Sequence, residues 1–190
     1  MIFESIITSI DSLGRTNVAP FGIKREHDFI FISPYIPSKT FDNLKLNKIG
    51  AVNYVDDSEI FVNCIIGKKE FSLKRCTKVA CFYLEKALTV EEFLVDDFLS
   101  HKLRPTFKCK ILKTNKVKAF MGHNRSRAAI IEACILASRI KILEEKKIFD
   151  ELNYLSIAIS KTSGKKELIL WQALNNFIRK ELKLKKKKHD

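Results

Sequence analysis

Glycine and proline are scarce in this 190-residue chain, at six and four, and tryptophan occurs once. So few turn formers argue against collagen-like and low-complexity classes. Long apolar runs are missing too, and none approaches the roughly eighteen residues that a membrane-spanning helix requires. The opening segment "MIFESIITSIDS" lacks the basic region and cleavage site of a secretory leader, so the cytoplasm is the expected location. The five cysteines form no CxxC and have no histidine at ligand spacing, which argues against a disulfide framework and against a metal site. Reduced, mostly buried thiols are expected. Familiar catalytic templates are also absent: there is no GxGxxG after a strand, no P-loop, no GxSxG and no HExxH. "SGKKE" at 163–167 lacks the upstream glycine of a P-loop and reads as a helix start. The four histidines are scattered, and nothing ranks one of them as a catalytic base, so no catalytic residue is assigned.

What is present is an ordinary globular composition, 46% hydrophobic and 30% charged, with a net charge of +13. The length suits one domain with a small appendage. More than a third of the excess charge lies in the last twelve residues, "RKELKLKKKKHD", with seven basic and two acidic side chains. Such a tail can bind nucleic acid or an anionic surface without specificity, or can simply be solvated. The rest of the chain lacks the interleaved aromatic and basic strips that single strands require, so nucleic acid is not the expected partner.

The two halves differ in period. Up to residue 118 the pattern is one of short strands: "FESIITSI", "TNVAPFG", "DFIFIS" (a run apolar enough for burial on both faces), "GAVNYV", "VACFYLE" and the cleanly alternating "TFKCKILK". "SKTFDNLKLN" reads as a short helix, and "DDSEIFVNCII" as another, with Asp57 or Ser58 as N-cap. After "FMGHNRSR" the period becomes helical. Ala128, Ile131, Ile135, Ser138 and Ile142 form one stripe, with Ala129, Ala133, Leu136, Ile140 and Leu143 beside it and Asn124 as N-cap. Two more helices follow, carrying Ile148, Leu152, Leu155 and Ile159, then Leu170, Leu174 and Phe177 with Trp171, Ile178 and Leu182. The fold class is α+β, mainly β: a barrel domain over 1–118, a three-helix domain over 119–182, and a disordered basic tail over 183–190.

Two segments suit a ligand. Pro34 and Pro37 hold the chain extended before Ser38 and Thr40 open a helix. The free N–H groups and partial positive charge there, with the two hydroxyls and Lys39, suit a phosphomonoester. An ordinary N-cap with an exposed lysine would read the same. In "TNVAPFG", small side chains at Val18 and Ala19, and a proline that withholds one N–H, let a flat ring lie on the backbone.

These motifs carry a resemblance. The series Asn17, Ala19, Pro20, Phe21; Lys39, Thr40, Asn43, Leu44; Val52, Asn53 is similar, in the same order, to the FMN-binding split-barrel superfamily of flavin reductases. With "HNRSRAAIIEA" (Asn124, Arg125, Glu132, Ala133) and Arg139, the chain more closely resembles the domain-of-unknown-function 447 family, over nearly its whole length. The resemblance implies a split barrel that forms a homodimer with FMN in grooves at the interface. It implies that Asn17, Val18 and Ala19 face the isoalloxazine, that Ser38, Lys39, Thr40 and Asn43 hold the phosphate, and that Asn53 lies near that pocket. Thr8 and Ser9 would contact the ring edge or ribityl chain, and Arg15, Arg104 and Arg125 are further candidate cations. The implied activity is that of an oxidoreductase drawing electrons from NAD(P)H or another donor. The alternatives are a non-enzymatic flavin carrier or an accessory protein of cofactor or one-carbon metabolism. "SKTF" stands where the reductases carry "KDT", which displaces the acidic residue to Asp42.

Overall fold

The computed structural model describes residues 1–186 and divides into two compact units. The first comprises Met1–Val55 and Glu70–Phe120, and the second comprises Asp56–Lys69 with the residues from Met121 onward.

The first unit is a closed six-stranded barrel. Its strands are β1 (Ile2–Ile10), β2 (Thr16–Glu26), β3 (Phe29–Ile32), β4 (Ile49–Tyr54), β7 (Thr89–Leu99) and β8 (Thr106–Lys116). They close in the order β1-β2-β3-β8-β7-β4, and every neighbouring pair is antiparallel. Between β4 and β7 the short pair β5 (Leu73–Arg75) and β6 (Phe82–Leu84) forms a separate two-stranded sheet. The alternation along each strand supplies the interior: Ile7, Ile23, Ile30, Ile32, Val52, Phe93, Phe107 and Cys109 pack as one core. Helix α1 (Lys39–Asn47) inserts Phe41 and Leu44 into that core. Ser38 caps it, its Oγ accepting the Phe41 N–H at 3.3 Å.

A second set of inward positions is polar. Arg25, Tyr54 and Glu91 follow the parity of Ile23, Val52 and Phe93, so they meet although their strands are not all neighbours, with Glu91 buried, Tyr54 half-buried and Arg25 still exposed. The Arg25 Nη2 donates to Glu91 Oε1 at 3.0 Å, and the Tyr54 hydroxyl donates to Glu91 Oε2 at 2.7 Å. Burial first, and then this bond, pushes the Tyr54 phenol well above its ordinary pKa.

Gly50 marks the tightest point of the wall. A Cβ there would lie 2.6 Å from the Phe93 Cζ and 2.7 Å from the Thr8 carbonyl oxygen. Gly50→Ala is therefore expected to cost about 3 kcal/mol through overpacking, read as a fall in the urea unfolding midpoint.

The second unit is helical: α2 (Ser58–Ile66), α3 (Arg125–Ser138), α4 (Glu145–Thr162) and α5 (Lys165–Lys186). Asp57 caps α2 and Asn124 caps α3. The core takes Ala129, Ala133, Leu136 and Ile140 from one stripe expected on α3, together with Ile130 and Cys134. From the other stripe Ala128 and Ser138 are exposed, and Ile142 is 78% exposed beyond the end of the helix. Ile148, Leu152 and Ile159 on α4, and Leu170, Leu174, Ile178 and Leu182 on α5, complete the core. Arg127 joins three elements, bonding Asp56 at 3.0 Å and Glu167 at 3.3 Å.

Several sequence expectations change. β3 alternates between buried and half-buried residues instead of being buried on both faces. The strand expected over "VACFYLE" shrinks to Phe82–Leu84, and β5 and β7 were not anticipated. The α2 segment, expected within a 1–118 domain, groups with the helices. Residues 183–186, expected to be disordered, continue α5: the Lys185 Nζ donates to the carbonyls of Ile140 (2.9 Å) and Leu143 (3.1 Å), and Lys186 pairs with Glu145 at 2.8 Å. The last four residues of the expected tail lie outside the described residues. Among the described residues no helix is long and apolar enough to cross a membrane, and no cluster of potential metal ligands occurs.

Candidate functional site

β1 and β2 are joined by the turn 11–15. Gly14 takes a left-handed φ of 75°, and Asp11 Oδ1 accepts the N–H groups of Leu13 and Arg15, both at 2.9 Å. The Arg15 guanidinium binds Asp11 Oδ2 at 2.7 Å, so this cation is engaged at the hairpin turn. The bonds from the Arg15 backbone and side chain hold the Asp11 carboxyl below its ordinary range. The turn fixes the register in which Thr8 faces Val18 and Ser9 faces Asn17. Because faces alternate along a strand, the expected site residues separate into two groups on opposite sides of β1.

The first group gathers around α1. The Asn17 Nδ2 donates to Thr40 Oγ1 at 3.0 Å, and the Asn43 Nδ2 donates to Ser9 Oγ at 3.0 Å. Asn47, which sequence reading passed over, donates to the Ile10 carbonyl at 2.8 Å. Three polar side chains thus fasten the helix to β1 and β2. They bring "TNVA" and "SKT", twenty-three residues apart at the Asn17–Thr40 bond, to one place. Asn17, Val18 and Ala19 are half-buried, Ser38 is half-buried, and Lys39 is exposed. The N–H groups of Lys39 and Thr40 open the helix and have no acceptor within it. This surface therefore offers backbone donors, an ammonium group and a strand of small side chains.

The second group lies on the other face and serves the barrel wall. Thr8 and Asn53 are fully buried. The Asn53 Nδ2 donates to the Ile6 carbonyl (3.1 Å) and to Thr8 Oγ1 (3.1 Å), while its Oδ1 accepts the Leu84 N–H at 2.7 Å. The Thr8 hydroxyl donates to the Ala51 carbonyl at 3.2 Å. Asn53 therefore ties β1 and β4 to β6. Ser9 is fully buried as well, and Thr40 and Asn43 nearly so. The structure thus leaves Asn17, Val18, Ala19, Ser38 and Lys39 as the accessible members of the expected set and buries the others, with the Val18 side chain on the face of Thr8 and those of Asn17 and Ala19 on the face of Ser9.

Arg104 lies beside the segment that leads into α1. Its Nε donates to the Ser33 carbonyl at 3.1 Å, and its guanidinium stacks 5.2 Å from the centre of the Tyr35 ring. His101 holds that loop, its Nδ1 accepting the N–H groups of Leu103 (3.2 Å) and Arg104 (3.0 Å). Arg125 belongs to the helical unit, where it lines a groove between α3 and α4 with Glu132, Tyr154 and Ile157.

β7 carries a further polar site that the sequence did not announce. Glu92 is fully buried, and its carboxylate accepts the N–H groups of Thr77 (3.0 Å), Lys78 (2.6 Å) and Val79 (3.3 Å) together with the Thr77 hydroxyl (3.1 Å). Burial pushes this carboxyl up, but the donors outweigh it and hold it below the ordinary glutamate value of 4.5. The loop 77–79 is an anion nest filled by the protein's own side chain.

Comparison with known proteins places this geometry. The model of a protein of unknown function (DUF447) N-terminal domain matches residues 3–118, and the companion DUF447 model matches residues 124–176. No curated protein sequence matches. Among solved structures, an FMN-bound DUF447 protein of Methanosarcina mazei superposes with a TM-score of 0.79 at 21% identity, over 93% of this chain and 94% of that one. The 2-nitrobenzoate 2-nitroreductase of Pseudomonas fluorescens superposes with a TM-score of 0.52 at 19% identity, over 60% and 64%. The flavoredoxin of Methanosarcina acetivorans gives 0.53 at 12% identity, over 63% and 75%. The similarity to these last two proteins is one of fold. The match to both family models, through the barrel and into the helices, makes this chain a member of the DUF447 family.

Proposed function

We propose that the chain binds FMN against β2 and the start of α1, and that it acts as a flavin-dependent oxidoreductase in a homodimer. The observation that carries this reading is the Asn17–Thr40 bond, which sets a strand of small side chains beside the open start of a helix, the two features that a flavin ring and its phosphate would need. The donor set fits the cofactor. The N–H groups of Lys39 and Thr40, the Ser38 hydroxyl and the Lys39 ammonium suit a phosphate, with Asn43 orienting the helix through Ser9. Asn17, Val18 and Ala19 offer a flat strand, and Pro20 removes one N–H from it. Thr8 and Asn53 hold the wall behind that strand. An FMN-bound relative in the same family supports the choice of cofactor.

Bound flavin supplies two-electron transfer between a donor such as NAD(P)H and an acceptor, while the protein contributes position and hydrogen bonds. A non-catalytic flavin carrier would use the same residues, and the two readings differ in one outcome. Protein purified from cells should be yellow and should release FMN, identified by mass and absorbance. Anaerobic NAD(P)H should then bleach it; a yellow protein that does not bleach with any nicotinamide or other donor is a carrier. A colourless protein that ignores added FMN removes both.

A further inference from the structure

Two of the five cysteines face one another at the open end of the β5–β6 sheet. The register pairs Leu73 with Leu84, Lys74 with Tyr83 and Arg75 with Phe82, so the next opposed pair is Cys76 and Cys81. The Cys76 N–H donates to the Cys81 carbonyl at 3.0 Å, which continues the ladder by one step. Opposed residues in such a hydrogen-bonded pair have Cα atoms about 5.5 Å apart, inside the span that a disulfide bridges. Its opposed partner, and then burial, hold the proton on Cys76, while the same partnership lowers Cys81, so Cys81 is the first of the pair to ionise.

The remaining cysteines contrast with this pair. Cys109 lies in the barrel core, where burial pushes its thiol up. Cys64 and Cys134 belong to the helical unit, and burial pushes both thiols to about 12. Cys76 is half-buried and therefore within reach of a small reagent, whereas Cys81 is 2% exposed, with its Sγ 3.7 Å from the Thr8 carbonyl.

We propose that Cys76 and Cys81 form a redox-active dithiol that exchanges with low-molecular-weight disulfides, Cys76 being the entry thiol and Cys81 the resolving thiol. Cys76 attacks one sulfur of an external disulfide RSSR as its proton passes to the Cys81 thiolate; that S–S bond breaks, and RS⁻ leaves and takes the proton from Cys81. The Cys81 thiolate then attacks the Cys76 sulfur of the mixed disulfide, the bond to the second RS group breaks, and a second RS⁻ leaves and is protonated. Two protein thiols are oxidised by two electrons, and RSSR is reduced to two RSH. The bridge closes only four intervening residues, Thr77–Ala80, three of whose N–H groups are already fixed on Glu92, so little backbone has to move. The site does not depend on the proposed flavin.

The test equilibrates the full-length protein with mixtures of reduced and oxidised glutathione and follows free thiols and peptide mass. Trypsin cuts after Arg75, Lys78 and Lys86, so the bridge would join the peptide Cys76–Lys78 to the peptide Val79–Lys86. The expected result is a loss of two thiols with only that pair of peptides linked, reversed by dithiothreitol. With Cys81→Ser, a glutathione adduct should persist on Cys76; with Cys76→Ser, neither adduct nor bridge should form. Retention of all five free thiols across the glutathione range, linkage through another cysteine, or a stable glutathione adduct on Cys76 in the unaltered protein would overturn the proposal.

Discussion

Glu92→Gln is expected to destabilise the barrel unit by about 4 kcal/mol, because it leaves buried N–H groups without a charged acceptor. The carboxylate accepts from three consecutive backbone N–H groups and one hydroxyl. An amide of the same size keeps one acceptor oxygen and turns an NH2 group toward donors. The loop 77–79 then loses its anchor on β7. Urea titration at neutral pH reads the effect as a lower midpoint. The pH dependence has a definite sign. The folded-state pKa lies below the ordinary 4.5, so the contribution of Glu92 is fully present above that value. It is lost as the pH falls through the lower, folded-state value. The gap between the unaltered protein and Glu92→Gln should therefore be constant from pH 7 to about 5 and should narrow below about 4.5. A gap that widens in acid would contradict the assignment.

The second large effect concerns the phosphate. If the start of α1 holds it, FMN should bind at least about a hundredfold more tightly than riboflavin, which carries the same ring and ribityl chain. Lys39→Ala should lower FMN affinity about tenfold and leave riboflavin affinity unchanged, since the ammonium is exposed and meets only the phosphate. Raising the salt concentration should weaken FMN binding and spare riboflavin. Equal affinities for the two flavins would place the phosphate elsewhere. Equal losses for both flavins in Lys39→Ala would show damage to the helix instead of a phosphate contact.

Much of this architecture could be read before the structure because the elements concerned obey a simple period. β8 alternates, β1, β2 and β4 are short apolar stretches bounded by turns, α1 and α2 carry recognisable caps, and α4 and α5 bury one stripe each. β7 escaped notice for a physical reason. Its sequence, "TVEEFLVDDFL", contains four carboxylates, and a strand that buries two of them violates every composition rule. Its partners are far away in sequence: Arg25 and Tyr54 for Glu91, and the 77–79 loop for Glu92. Only the closed barrel brings them together. β5 is too short, at three residues, to show any period.

The site divides along similar lines. That the "TNVA" strand and the "SKT" helix start share one place is implied by the family resemblance, and the proline-bounded approach marks the helix start at Ser38. The side of β1 that each hydroxyl takes could not be read without the register. Thr8 and Asn53, expected beside the ligand, spend their hydrogen bonds on Ala51, Ile6 and Leu84 instead. Ser9 engages Asn43 and thereby supports the helix. Asn47 performs the same task at the other end of α1 and had no motif to mark it.

The FMN site is open to direct titration of flavin-free protein with FMN, followed by quenching of flavin fluorescence. Saturation is expected at one FMN per chain, with a dissociation constant in the micromolar range or below, and a weaker curve for Lys39→Ala. Fluorescence that stays at the level of free FMN throughout the titration would contradict it.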